Sequence, residues 1–208
     1  PTSYSGMEVM LGLYGYSLQV FADFSGYSDI AIGVALLMGF RLEENFRSPY
    51  KARNLGDFWK RWHISLSTWL RDYLYIPMGG SRTASIFSGV FAFAVVFFAS
   101  NILGEYGEMN FGVLFLGFGI LLLLWSSSVM FPKWGLKLAS YVNIMATMVI
   151  GGLWHGASWN FLLWGALNGL GLLVYKIIGT KMPWSSHNGM WARAIGVITT
   201  FNFITFTR

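Results

Sequence analysis

Residues 57–80 read DFWKRWHISLSTWLRDYLYIPMGG. Lys60, Arg61, His63, Arg71 and Asp72 stand here among Trp59, Trp62, Trp69, Tyr73 and Tyr75. The stretch is too charged to cross a bilayer, yet its neighbours are apolar runs. Read as a helix, it places Trp59, Trp62, His63, Leu66, Trp69, Leu70 and Tyr73 on one face, at the i, i+3, i+4, i+7 spacing. His63 then falls at the edge of an aromatic stripe. Asp57 is the expected N-cap, and Pro77 with Gly79 and Gly80 the expected stop.

Working outward, the composition is that of a membrane protein. Of 208 residues, 55% are hydrophobic and 11% charged, against about 25% charged in soluble domains. The mean hydropathy is +0.53. Several runs are long enough to span a bilayer, which weighs against one large soluble core. An all-α, polytopic membrane domain over 1–208 is the expected fold class. The chain opens on Pro1 and closes on Arg208 inside an apolar run, with no initiator Met and no signal-peptide pattern. An internal piece of a larger membrane protein is therefore expected.

The expected spans are 7–22, 30–40, 85–103, 111–130, 138–154, 158–178 and 190–206, with 41–82 interfacial or re-entrant. The first two runs flank DFSGYSD (23–29) and form either one long kinked helix or two short ones broken there. Gly26 permits a break, and Asp23 and Asp29 at membrane depth are expected to face a water-filled cavity or a partner. Eight of the fourteen Lys and Arg fall between Arg41 and Arg82. By the positive-inside rule, 41–82 is cytoplasmic, the acidic loop 104–110 outside, the basic loop FPKWGLK (131–137) inside, and 176–189 inside. The turn at 151–160 then lies toward the outer face. The small residues of 165–171 suit close helix packing.

The absence of cysteine excludes disulfides, thiolate metal sites and cysteine nucleophiles. No basic low-complexity tail is present, so nucleic acid is not an expected partner. No nucleophile elbow, phosphate loop, dinucleotide fingerprint or HExxH helix occurs. No metal site is expected, because His63 and His155 are far apart in sequence without further ligands at metal spacing. What remains is GGLWHGASWN, 151–160. His155 sits there between Trp154 and Gly156 at the turn of an apolar hairpin. An imidazole in a partly dry site can act as general base on a hydroxyl. Equally, it can be a histidine satisfied by a backbone carbonyl at an interfacial turn. His63 can likewise be one polar residue of an interfacial helix whose Lys60 and Arg61 meet phospholipid headgroups. His187 reads as solvated.

Three blocks taken together carry a resemblance: YSLQVFADFSGYSDIAIGVALLMGF (16–40), NFRSPYKARNLGDFWKRWHISLSTWLRDYLYIPMGGSR (45–82) and GGLWHGASWNFLLWGALNG (151–169). They resemble the membrane-bound O-acyltransferase superfamily. The likeness is to its bacterial branch with the alginate O-acetyltransferase membrane subunit and the D-alanyl transfer protein. WLRDYLYIPMGG and GLWHGASW favour the alginate type. The resemblance implies helices around a funnel and tunnel in the bacterial inner membrane. It implies His155 as the catalytic residue, either as general base on the acceptor hydroxyl or as a brief acceptor of the acyl group itself, and His63 as a second functional histidine toward the cytoplasmic side. Trp154, Trp159, Asn160, Asp23, Ser25, Tyr27, Asp29, Trp59 and Trp62 are the expected lining.

The implied reaction moves an acyl group, acetyl by preference, from a thioester co-substrate (acetyl-CoA or an acyl carrier) to a hydroxyl of an exopolysaccharide or to an acyl-relay partner. No tightly bound cofactor is expected, and residues that would hold the donor are not identified. Lys60, Arg61 and Arg71 are candidates for donor phosphates or lipid headgroups. Membrane lipid, an extracytoplasmic acetyltransferase and other polysaccharide-modifying subunits are the implied partners. One departure from the family pattern is the pair of apolar runs between Gly80 and Gly151, which is longer than usual. Two added spans leave the sidedness of both histidines unchanged. Transport of a small substrate, or a non-catalytic scaffold role, are the competing functions; the first predicts inverted internal repeats, which the sequence lacks.

Overall fold

The computed structural model describes residues 4–82, 90, 94, 132–179 and 189–207. The expected spans 85–103 and 111–130, the loop 104–110 and His187 lie outside the described residues. Among those described, every regular element is helical.

Helix α1 runs Gly6–Leu37, 32 residues, about 48 Å at 1.5 Å per residue. Ser5 and Glu8 form a reciprocal capping box at its start. The expected spans 7–22 and 30–40 are thus parts of one helix rather than two short ones. Gly26 does not break it, and Ser25 Oγ donates back to the Ala22 carbonyl at 3.4 Å. In an apolar setting intrahelical bonds are the cheapest way to satisfy the backbone. The burial pattern is inverted relative to a soluble helix: Ser17 and Ser28 are its buried residues, while Leu11, Leu18, Ile30 and Val34 are exposed. Polar side chains inside and large apolar ones outside is the arrangement a lipid solvent selects.

Helix α2 spans Leu55–Trp59 and α3 spans Ile64–Leu70, followed by a π-helical turn at Arg71–Tyr75. The single helix expected from Asp57 does not form. The cap is Asn54, whose side chain accepts from the Asp57 N–H at 2.8 Å. Asp57 sits one turn in, where it accepts from Arg61 Nε at 2.8 Å and from the Arg53 N–H at 3.3 Å. The helix then breaks before His63, at φ 44. The cause is tertiary. The Arg47 N–H donates to the Arg61 carbonyl at 2.9 Å, and the Ile64 N–H donates to the Asn45 carbonyl at 3.0 Å. Groups that a continuous helix would pair within itself are paired to 45–47 instead. The aromatic stripe is split as a result: Trp62 and Leu70 are buried, Trp69 and Tyr73 exposed. The chain stops being helical at the expected place, with Gly79 at φ 106 and Gly80 at φ 56, values that glycine adopts without strain.

Helix α4 is Pro132–His155, α5 is Trp159–Ile178 and α6 is Met190–Phe206. The expected loop 131–137 is helical from Pro132 onward, because proline is favoured in the first helical turn. Among the described residues, three helices are long and apolar enough to cross a membrane: α1, α4 from Lys133, and α5.

Two compact units divide the chain, Pro1–Trp69 with Leu170–Arg208, and Leu70–Gly169. In the first, Tyr50 OH donates to the Ser17 carbonyl at 2.6 Å and ties the turn at Pro49–Lys51 to α1. Tyr14 OH donates to Asn202 of α6. An aromatic core fills the space between: Phe46 and Trp62 meet at 5.0 Å, Phe58 stacks on Trp62 at 5.6 Å, and Phe24 meets Phe46 at 5.0 Å.

In the second unit, the buried Asn143 of α4 donates to the carbonyls of Met78 and Gly80 at 3.1 and 2.9 Å. Tyr75 OH and Ser140 Oγ are 3.2 Å apart. The turn after the π-helical segment is thereby fastened to α4. Helices α4 and α5 then meet backbone to backbone. A Cβ on Gly152 would come within 2.3 Å of the Phe161 carbonyl oxygen, and one on Gly165 within 2.4 Å of the Met148 carbonyl oxygen. Neither neighbour is a flexible side chain. Gly152→Ala and Gly165→Ala are each expected to destabilise the unit by about 1–3 kcal/mol, the usual cost of overpacking. Thermal unfolding in detergent measures this, and Gly12→Ala, where a Cβ meets nothing within 4 Å, is the neutral control.

Candidate active site

His155 is the last residue of α4, and the hairpin turn follows at once. Three rings surround its imidazole. Trp154 meets it edge-on at 5.1 Å, Trp164 edge-on at 5.2 Å, and Phe161 lies nearly parallel at 6.0 Å. The close approach of α4 and α5 through Gly152 and Gly165 is what brings Phe161 and Trp164, one helical turn apart on α5, against the last turn of α4. Gly156 is part of this fit, since a Cβ there would fall 2.6 Å from the Phe161 ring. Among the described residues, no hydrogen-bond partner holds either ring nitrogen of His155. The imidazole is packed by rings, and the residue as a whole is exposed. The reading of a histidine satisfied by a backbone carbonyl finds no partner among the described residues.

Phe161 and Trp164 were not anticipated as neighbours of His155. Their signal was the i, i+3 aromatic spacing on the helix after the turn. Trp154 is in place against the imidazole, whereas Trp159 and Asn160 lie exposed at the start of α5.

His63 belongs to the other unit. Its ring meets Phe24 of α1 edge-on at 4.8 Å and lies 6.4 Å from Phe46. Its Nδ1 is 3.3 Å from Asn45 Oδ1. The same oxygen accepts from the Ser65 N–H at 3.1 Å and from Ser65 Oγ at 3.0 Å. A non-glycine residue at positive φ is uncommon, and histidine is among those that tolerate it.

The remaining expected lining residues separate. Trp62 is 8% exposed in the aromatic core, with Trp59 packed beside it, so both are structural here. On α1 the inward face carries Ser17, Phe21, Phe24 and Ser28. Asp23 and Asp29 are exposed and, six residues apart, point about 120° from each other around the helix. Tyr27 is exposed and Ser25 half-buried. The four residues Asp23, Ser25, Tyr27 and Asp29 do not form one wall. Of the cations considered for phosphates, Arg61 is paired with Asp57, and Arg71 grips Asp72 with two contacts of 2.6 and 3.0 Å. That pairing raises the guanidinium of Arg71 and lowers the carboxyl of Asp72, in both cases chiefly through the hydrogen bond between them. Lys60 is exposed and has no acidic partner among the described residues.

Comparison with known proteins places this arrangement. A family model for the membrane-bound O-acyltransferase family matches residues 1–134. The chain is similar to the protein named "Probable alginate O-acetylase AlgI" of Pseudomonas syringae pv. tomato, 38% identical over 186 residues, covering 89% of this chain and 26% of that protein. It is similar to the peptidoglycan O-acetyltransferase of Helicobacter pylori, 34% identical over 203 residues, covering 98% of this chain and 28% of the relative. A more distant likeness, 26% over 202 residues, is to the teichoic acid D-alanyltransferase of Bacillus subtilis, with 95% of this chain and 39% of the relative covered. The chain therefore spans about a quarter of the length of the first two relatives. The matched region carries α1, the aromatic core and the turn bearing His63, while the relatives align over most of the chain; with its all-helical, membrane-suited architecture, the chain belongs to the membrane-bound O-acyltransferase family.

Proposed function

We propose that the protein containing this chain is a multi-pass enzyme of the bacterial inner membrane that transfers an acyl group, acetyl by preference, from a thioester donor to a hydroxyl. The acceptor is an extracytoplasmic polysaccharide, or a partner protein that relays the acyl group to one. The observation that carries this reading is the imidazole of His155, an exposed residue packed by three aromatic rings at the end of a helix suited to span a membrane. The names of the relatives, which cover alginate, peptidoglycan and teichoic acid, support a polymer acceptor.

In this mechanism a ring nitrogen of His155 takes the proton of the acceptor hydroxyl as its oxygen attacks the thioester carbonyl. The C–O bond forms and the C–S bond breaks. The proton held on the imidazole returns to the departing thiolate. General-base assistance of this kind contributes about 10²–10⁴-fold. His63 is the supporting histidine on the donor side, and Lys60 with membrane phospholipid lies on the same polar segment.

The test uses the full-length protein in membrane vesicles supplied with acetyl-labelled thioester donor and the polysaccharide. Label is expected as hydroxylamine-labile ester on the polymer or on a relay protein. Label that crosses the membrane chemically unchanged would point to transport instead. No ester in vesicles where the protein is folded and abundant would leave it a scaffold.

A further inference from the structure

Asn45 was not among the residues singled out by sequence, and its geometry gives it a task. Its main-chain carbonyl accepts from the Ile64 N–H at 3.0 Å, and its side-chain oxygen lies 3.3 Å from His63 Nδ1. It therefore grips His63 and the residues that follow its positive φ. The neighbouring Arg47 N–H to Arg61 carbonyl bond closes the same clasp at 2.9 Å.

The side chain is not free to exchange roles. Asn45 Oδ1 accepts from the main-chain N–H of Ser65 at 3.1 Å, which only an oxygen can do. That fixes the amide with its oxygen toward His63. Ser65 Oγ also lies 3.5 Å from Nδ1, but its one proton is directed to Asn45 Oδ1 at 3.0 Å, so two acceptor oxygens face Nδ1. That arrangement favours the proton on Nδ1 and the lone pair on Nε2. Phe24 against the ring edge, at 4.8 Å, opposes rotation out of this contact.

We propose that Asn45 is a positioning residue that holds His63 in the Nδ1–H tautomer and in one orientation, so that Nε2 is the working nitrogen. The role rests on the supporting function given to His63 above. Losing an orienting hydrogen bond lowers metal affinity or activity by about 10–100-fold where the histidine binds a metal, and a loss of the same order is expected where it must present one nitrogen to a reactant.

The experiment combines turnover with a direct view of the ring. In the full-length protein, Asn45→Ala is expected to lose at least about tenfold in acetyl transfer with little change in melting temperature. Asn45→Asp, which keeps the acceptor, recovers most of it. With ¹⁵N-labelled histidine, and His63→Gln to assign the signal, the wild-type spectrum is expected to show His63 as the Nδ1–H tautomer. In Asn45→Ala it becomes a mixture.

A wild-type His63 in the Nε2–H tautomer overturns the proposal, and this measurement stands even if Asn45→Ala fails to accumulate. Wild-type turnover and an unchanged tautomer in Asn45→Ala overturn it as well. Full transfer by His63→Ala would remove the functional role of His63, while the spectrum would still decide whether Asn45 sets its tautomer.

Discussion

Replacing His155 by Ala in the full-length protein is expected to lower acyl transfer by about a hundred- to ten-thousand-fold, the range for loss of a general base. The protein should still fold. His155 is the terminal residue of α4, it is exposed, and its contacts are ring packing rather than buried hydrogen bonds. Its removal leaves no buried polar group unpaired, so little stability is at stake. The melting temperature in detergent should move little while transfer collapses. His155→Gln should be nearly as inactive, since an amide keeps polarity and size but cannot take a proton at neutral pH. Transfer at wild-type rate by a well-expressed His155→Ala would show that the caged imidazole is not the base.

Trp62 presents the opposite case, although both residues entered as candidates for the same site. Trp62→Ala is expected to cost about 3–5 kcal/mol of stability, the range for truncating a buried large aromatic. Its ring is 8% exposed. It stacks on Phe58 at 5.6 Å and touches Phe46, Phe21 and Tyr50 at 5.0, 6.1 and 6.1 Å. Those partners come from α1, from the 45–50 segment and from α2, so the cavity would open where three pieces of chain meet. A strongly lowered melting temperature, or failure to accumulate, is the expected result. Trp62→Phe should restore most of the stability and leave transfer per folded molecule near wild type. A stable Trp62→Ala that has lost transfer would return the residue to the site.

These two residues show where local reading succeeds. WHG at the end of an apolar run, followed by another such run, places a histidine at a hairpin turn whatever the rest of the chain does. Run length and hydropathy are local properties, and the bilayer allows few ways to satisfy a backbone. The same logic covers α4, α5 and α6, whose limits differ from the expected spans by six, one and no residues at the start and by one at most at the end. The stop at Gly79 and Gly80 was readable for a similar reason, since only glycine takes those angles easily.

The stretch 57–80 shows where it fails. Periodicity alone favoured one helix with Trp59, Trp62, His63 and Trp69 in register. Nothing local to 57–80 announces that its backbone will be claimed from outside. Asn45 and Arg47 do that, from fourteen to nineteen residues upstream, by bonding the main chain of Arg61 and Ile64. Once those bonds form, His63 turns to positive φ, and Trp62 goes to the core while Trp69 is left exposed.

By itself, then, the sequence determined that this is an all-helical membrane protein and that His155 stands at the turn between two apolar helices. It also determined that a charged, aromatic segment interrupts the spans. All three follow from hydropathy, helix length and glycine placement, which act over a turn or two of chain. The tertiary structure alone decided which aromatic residues are core and which surround an imidazole, and it alone assigned Asn45 to His63. Those outcomes depend on which distant backbone groups pair and on how closely Gly152 and Gly165 let two helices approach. Pairings between residues far apart in the chain leave no periodic trace in either partner.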